Sequence, residues 1–275
     1  MPASEIVSTI VQEFPYALWG SILVGMICAF LGVYIVARRV VFLGAVLTQV
    51  SVMGLAITFL PLFAIPHTIG SLIFTLATVV ILSRMLTGKR LPNDALLGVV
   101  FVTSVAARLL VMQIAPKVDV AEVENLLRGD ILFVTPEIFL LMAAAFIVAA
   151  SAHLLFFKEF TYTSFDPETA RAQGFNSGAW DLAFYLIAGG VISFATHMVG
   201  DIYVFGFLVI PAATAMLLVR RVKRIFLVAV LIGLIAPPVG LFLAFRWDLP
   251  SSPSVVGVAS AFLAVAWGWS LLRKK

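Results

Sequence analysis

Long apolar runs, broken by short clusters of Gly, Pro and charge, set the pattern of the chain. They predict helices over about 16–37, 42–64, 68–86, 95–115, 137–157, 182–199, 202–219, 225–245 and 255–272. A bilayer-crossing helix needs about 20 mostly apolar residues, and each run is close to that length. Only Gly200-Asp201 separates the sixth run from the seventh, so the pair reads as two spans or as one broken segment. The expectation is eight or nine transmembrane helices. An outer-membrane barrel would show short segments of alternating polarity, and these runs are unbroken. The fold class expected is an all-α polytopic membrane protein, with residues 1–275 forming one transmembrane domain.

Two polar stretches are longer than turns. Residues 116–136 mix Leu, Val and Ile with acids, which suggests a short helix lying along the membrane surface. Residues 158–181 contain FDPETARAQG. There Asp166, Pro167 and Glu168 follow the order of an N-cap, a first-turn Pro and a first-turn acid. Gly174 can close the helix in a left-handed conformation. A capped, solvent-facing helix of about two turns is expected.

Composition narrows the class. The chain is 62% hydrophobic and 12% charged, with a mean hydropathy of +1.12. Soluble domains run at about 45–50% apolar and about 25% charged. A soluble enzyme, a disordered chain and a single-anchor receptor are excluded. The net charge of +4 matters less than where the cations fall, and no nucleic-acid partner is implied. Of the 18 Lys and Arg residues, only Arg108, Lys117, Arg128 and Arg246 lie away from one side of a nine-span arrangement. The positive-inside rule makes that side cytoplasmic. It holds 38–41, 87–94, 158–181, 220–224 and the C-terminus, which leaves the N-terminus outside. The first 14 residues carry no basic n-region and no small-residue cleavage site, so no cleaved signal peptide is read. Cys28 is the one cysteine and has no intrachain partner for a disulfide.

Candidate chemistry is sparse. No GxxxxGK[ST], HExxH, CxxC or GxSxG occurs, so the chain has no visible means of hydrolysing ATP. Ionisable residues within a membrane are functional candidates by default. Here they are Arg108, His153 and His197, with Asp94, Asp181 and Asp201 at span ends. His67 sits beside Pro66 in a loop.

Local motifs add a family resemblance that extends over nearly the whole chain. Arg38-Arg39, Phe42-Leu43-Gly44, Leu47 and Gly54 resemble the RRxxFxGDxLxHxxxxG run of the permease subunits of ABC importers for zinc, manganese and related divalent metals. Further similar stretches follow in order. They are Asp94-Ala95-Leu96-Leu97-Gly98, Gly129-Asp130-Ile131-Leu132, the FDPETARAQG segment, Val199-Gly200, Ile210-Pro211-Ala212-Ala213-Thr214-Ala215, Gly233, Gly240 and Leu249-Pro250 with Pro253-Ser254.

The resemblance implies a type II importer-like permease in a bacterial-type inner membrane. Two permease subunits, identical or different, would form the pathway between them. Two cytoplasmic ATPase subunits would bind ATP and Mg, and an extracytoplasmic solute-binding protein would deliver the cargo. This chain would carry no cofactor, catalyse no reaction and contact only lipid and those partners. Its 158–181 segment would hold the coupling helix, with Phe165, Asp166, Pro167, Glu168, Arg171 and Gly174 at the ATPase contact. The small residues of IPAATA are expected to serve close helix packing, and Pro211 to add a kink.

The chain departs from the family at the second span. Zinc and manganese carriers place Asp and His four residues apart in GDxLxH, on one helix face, and those ligands suit a divalent transition metal. The same positions here are Ala45 and Gln49. A methyl group cannot bind a cation, and Gln offers one neutral carbonyl oxygen. No metal ligand is therefore carried over.

Three alternatives remain open. The importer still carries a metal, through weaker or water-mediated contact at Thr48, Gln49 and Ser51. It pairs with a different permease that keeps Asp and His. Or its cargo is larger or anionic, such as a chelated metal. Arg108 favours the last, because a mid-span Arg costs about 2.5–3.5 kcal/mol on insertion scales and faces a partner or a polar cavity. Pairing of Arg108 with an acid such as Asp130, or its snorkelling outward, is the plainer expectation. His197 and Asp201, at i and i+4, are a weak substitute pair. A scaffold or sensor that keeps the permease fold is the rival outside transport.

Overall fold

The computed structural model describes residues 3–60, 65–86, 91–114, 131 and 134–272. Among them are twelve α-helices: α1 (Ala3–Gln12), α2 (Pro15–Ala37), α3 (Phe42–Thr58), α4 (His67–Leu86), α5 (Asn93–Ile114), α6 (Pro136–Leu155), α7 (Phe157–Phe165), α8 (Pro167–Ala172), α9 (Ser177–Val199), α10 (Asp201–Leu218), α11 (Val222–Trp247) and α12 (Ser251–Leu272). Seven are long and apolar enough to cross a membrane: α2, α4, α5, α9, α10, α11 and α12. Residues Phe139–Leu155 of α6 and α7, bent by 76°, make an eighth candidate.

Several expected boundaries move. The second span, expected over 42–64, is a helix only to Thr58; residues 61–64 fall outside the described residues. At 17 residues α3 is about 25 Å long, short of a hydrocarbon core of about 30 Å. It tolerates that length because protein, not lipid, surrounds most of it, from Leu43 to Thr58. The segment 158–181 is not one loop around one helix. It begins with α7 and ends inside α9, because the chain bends at Phe156 and stays helical. The surface helix expected over 116–136 lies mostly outside the described residues.

One element has no counterpart in the sequence reading. Helix α1 is amphipathic, with Ile6 and Ile10 buried one turn apart and Glu5, Val7 and Ser8 exposed. Spacing of four residues puts both isoleucines on one face.

Helix α2 is the centre of the bundle, with 72% of its most apolar stretch buried, against 17% for α12 at the periphery. Small residues let its neighbours come close, as in membrane helix packing generally. A Cβ on Gly32 would stand 2.1 Å from the Leu208 carbonyl oxygen of α10. Gly25 and Gly233 of α11 meet similarly, each lying 2.5 Å from the other's carbonyl oxygen if given a Cβ. In the last part of α2, Tyr34 is wholly buried among Phe30, Phe184, Phe226 and His153. Gly200 breaks the chain between α9 and α10 with φ 82° and ψ 168°, a conformation essentially confined to glycine. The two runs flanking Gly200-Asp201 are therefore two helices.

Candidate functional site

Polar side chains inside the bundle converge where α3, α5 and α10 meet. Gln49, midway along α3, is 9% exposed, and Arg108 of α5 is 8% exposed. The Gln49 amide lies between two charged groups. Its Nε2 donates to Asp201 Oδ2 at 2.7 Å, and its Oε1 accepts from Arg108 Nη1 at 3.1 Å. An amide has one donor end and one acceptor end, so a carboxylate on one side and a guanidinium on the other satisfy both. A carboxylate at position 49 would not do this, because it has no donor to offer Asp201.

The site has unused capacity. Arg108 Nε and Asp201 Oδ1 are buried with no hydrogen-bond partner among the described residues. Buried polar atoms are usually paired, and each exception calls for an explanation. Among the described residues, no three of His, Cys, Asp and Glu come together to hold a metal ion. Ala45 is buried one turn from Gln49 and adds only a methyl group.

The other candidates are elsewhere or otherwise engaged. The Thr48 hydroxyl donates to Ala45 O of its own helix at 2.9 Å. The Ser51 hydroxyl is 2.8 Å from that of Ser71 and 3.4 Å from that of Ser193, in a cluster joining α3, α4 and α9. The weak alternative pair of His197 and Asp201 does not form an i, i+4 face. The break at Gly200 leaves His197 in the last turn of α9 and opens α10 with Asp201. Asp130, the expected partner of Arg108, lies outside the described residues; Gln49 is the partner seen. His67 Nδ1 bonds the Thr58 hydroxyl at 2.6 Å, and its ring stacks on Phe59. His153 is fully buried, stacks on Phe160 at 4.5 Å, and donates from Nδ1 to Ala149 O at 3.0 Å. Asp94 lies exposed in the first turn of α5.

The segment read as a docking element has the expected caps. Asp166 Oδ1 accepts from the Thr169 amide at 3.1 Å, and Oδ2 accepts from the Thr169 hydroxyl at 2.6 Å. These bonds hold the Asp166 carboxyl below the usual carboxylate range, the hydroxyl contributing most. At the other end Gly174 has φ +83°. Its amide donates to Arg171 O, and that of Phe175 donates to Ala170 O, both at 3.0 Å. That bond pair is the Schellman closure. Asp166, Pro167, Glu168, Arg171 and Gly174 are all exposed and Phe165 is half-buried, so α8 presents a rigid polar surface.

Comparison with known proteins decides the family. Residues 11–268 match the ABC 3 transport family. The chain belongs to the ABC 3 transport family. Among curated relatives, a probable iron transport system membrane protein of Haemophilus influenzae is 27% identical over 261 residues, covering 94% of this chain and 91% of that protein. A manganese transport system membrane protein of Listeria monocytogenes is 27% identical over 251 residues, covering 91% and 88%. A chelated iron transport system membrane protein of Yersinia pestis is 28% identical over 244 residues, covering 87% and 82%. The fold matches PsaBC from Streptococcus pneumoniae, solved in complex with a Fab, with a TM-score of 0.85 at 22% identity over 96% of this chain and 95% of that one. A putative metal-chelate type ABC transporter in an inward-facing conformation gives 0.75 at 18% identity. This ABC 3 member is thus a multi-pass membrane permease subunit rather than an enzyme, and ATP hydrolysis belongs to a separate subunit.

The sequence reading named Arg108, Gln49 and Asp201 separately but did not join them. The joining signal was compositional: three polar groups in apolar runs, each costly in lipid unless paired.

Proposed function

We propose that the chain is the permease subunit of an ABC importer for a transition metal of the manganese, iron and zinc class, free or chelated. It works by alternating access in a bacterial-type inner membrane, with the basic ends of the helices in the cytoplasm and the N-terminus outside. Two ATPase subunits, binding ATP and Mg, dock on α8 through Phe165, Asp166, Pro167, Glu168, Arg171 and Gly174. A second permease subunit completes the pathway, and an extracytoplasmic binding protein delivers the cargo. The relatives named for manganese, iron and chelated iron support the metal class. The observation that carries the reading is the match of residues 11–268 to the ABC 3 transport family; within it, the buried Arg108–Gln49–Asp201 chain includes the position where the resemblance implies the family's His.

That chain also favours the chelated form. A guanidinium beside the path opposes a bare cation and welcomes the anionic groups of a chelator. Thr48 and Ser51, engaged within the protein, have no part in this version of the site. The test is uptake into vesicles holding the complete complex, supplied in turn with Mn²⁺, Zn²⁺, Fe²⁺ and ferric citrate. ATP-dependent uptake of at least one metal is expected, with ferric citrate ahead of the free ions. Uptake of none refutes the metal reading and leaves a scaffold or sensor. A preference for free Mn²⁺ or Zn²⁺ refutes the chelate version.

A further inference from the structure

Arg38, in the cap position of α2, opens the RRxxF motif and counts toward the positive-inside balance, but the sequence gives its side chain no partner. The structure buries it: the side chain is 6% exposed. Its guanidinium lies over the Phe184 ring, 4.4 Å from the centroid, and 5.6 Å from that of Tyr185. Its Nε donates to the Ser164 hydroxyl at 2.9 Å and its Nη2 to the Thr163 hydroxyl at 3.2 Å. Its Nη1 forms an ion pair with Asp181.

The positions of these partners matter more than their number. Thr163 and Ser164 form the last turn of α7, just before the Asp166 cap of α8. Asp181 lies in the first turns of α9, just after the Gly174 closure. One guanidinium at the end of α2 therefore grips both flanks of α8. The α8 helix has little other hold on the bundle, since Ala170 is its one buried residue. A planar fork with donors in three directions can make this grip, and an ammonium cannot make all of it at once.

We propose that Arg38 is the positioning residue through which movement of α8 reaches α2, the central helix of the bundle. The proposal rests on the reading of α8 as the ATPase-docking helix. A displacement of α8 carries Thr163, Ser164 and Asp181 with it. The guanidinium is bonded to all three, so it passes the displacement to the end of α2 instead of letting the two flanking segments flex.

The test uses the complete complex in lipid nanodiscs, with the binding protein loaded with Mn²⁺ or ferric citrate as the probe. ATP hydrolysis is measured with and without the loaded binding protein, and ATPase co-purification is scored in parallel. Arg38→Gln is expected to keep the ATPase subunits bound and basal hydrolysis within about twofold, while stimulation by the binding protein disappears. Arg38→Lys, which keeps the charge and part of the grip, should recover part of the stimulation, a graded response that a merely structural anchor would not give. Asp181→Asn supplies the same measurement should Arg38→Gln fail to assemble, with stimulation reduced and basal hydrolysis kept. Full stimulation in Arg38→Gln, or in Asp181→Asn if that variant stands in, overturns the proposal. Arg171→Glu separates the underlying reading: it should release the ATPase subunits, and unchanged co-purification overturns the docking assignment itself. A wild-type complex that shows no stimulation with either probe overturns both.

Discussion

Replacing Gln49 with Leu removes both bonds that join Arg108 to Asp201 while nearly preserving volume. Hydrogen bonds to charged groups contribute about 1.5–3 kcal/mol each, so the pair sums to about 3–6 kcal/mol. Arg108, at 8% exposed, gains little water in exchange. Asp201 is half-buried and recovers part of its loss from solvent, which brings the expected cost to about 3 kcal/mol. The assay is equilibrium unfolding of the purified subunit in mixed micelles with increasing SDS, followed by Trp fluorescence. A double-mutant cycle with Arg108→Met isolates the pair. Removing both partners should cost less than the sum of the single losses, with a coupling of at least about 1 kcal/mol. A loss below about 0.5 kcal/mol, the range of an ordinary surface change, would refute the view that the amide is the keystone of this polar chain.

Three further outcomes are expected. Ala45→Asp with Gln49→His restores the family's ligand pair, yet Mn²⁺ binding by calorimetry should appear only once Arg108→Gln removes the adjacent cation; binding with Arg108 in place would show that its charge is not the obstacle. Gly200→Ala should lower stability by about 1–3 kcal/mol, the cost of holding a side chain in a sparsely populated backbone region; an unchanged unfolding midpoint would mean that the break adapts freely. The Asp166 cap has a definite pH sense. Its carboxyl titrates below the usual range, so its contribution is present above the ordinary carboxylate value and is lost as pH falls through the lowered native one. Protection of the Thr169 amide from hydrogen exchange should therefore persist through about pH 3.9 and fall below it, whereas Asp166→Asn should show no such step.

The spans were legible because lipid leaves a chain few choices. Backbone groups must be satisfied within each segment, so an unbroken apolar run has to be a helix. The caps of α8 were legible for a similar reason: Asp166, Pro167 and Gly174 act on backbone groups within a few residues of themselves. The polar chain was not legible, because Gln49 finds Arg108 at a separation of 59 residues and Asp201 at 152. No periodicity encodes such a meeting. The partners of Arg38 were illegible for the same reason. Its charge marked a membrane side, but its partners lie more than 120 residues away. Spacing also suggested that His197 and Asp201 share a face, and Gly200 undoes this by ending one helix and starting another. Helix α1 is too short to read as a span and apolar on one face only, although Ile6 and Ile10 carry its signal.

The glycine contacts of α2 have a mechanical consequence. At Gly32 and Gly25 the backbones of α10 and α11 touch that of α2 with no side chain between them to change rotamer. Close-packed interiors switch between discrete arrangements and do not deform smoothly. These three helices therefore form a stiff slab, and a displacement at the end of α2 would be shared by all three instead of being absorbed between them. The contact with α3 is of another kind: side chains, not backbones, make the joint where Gly44 meets the Leu208 side chain and Gln49 meets Asp201. The polar chain thus lies in the side-chain joint between α3 and these helices, where a change of rotamer can take up a shift that the glycine contacts cannot.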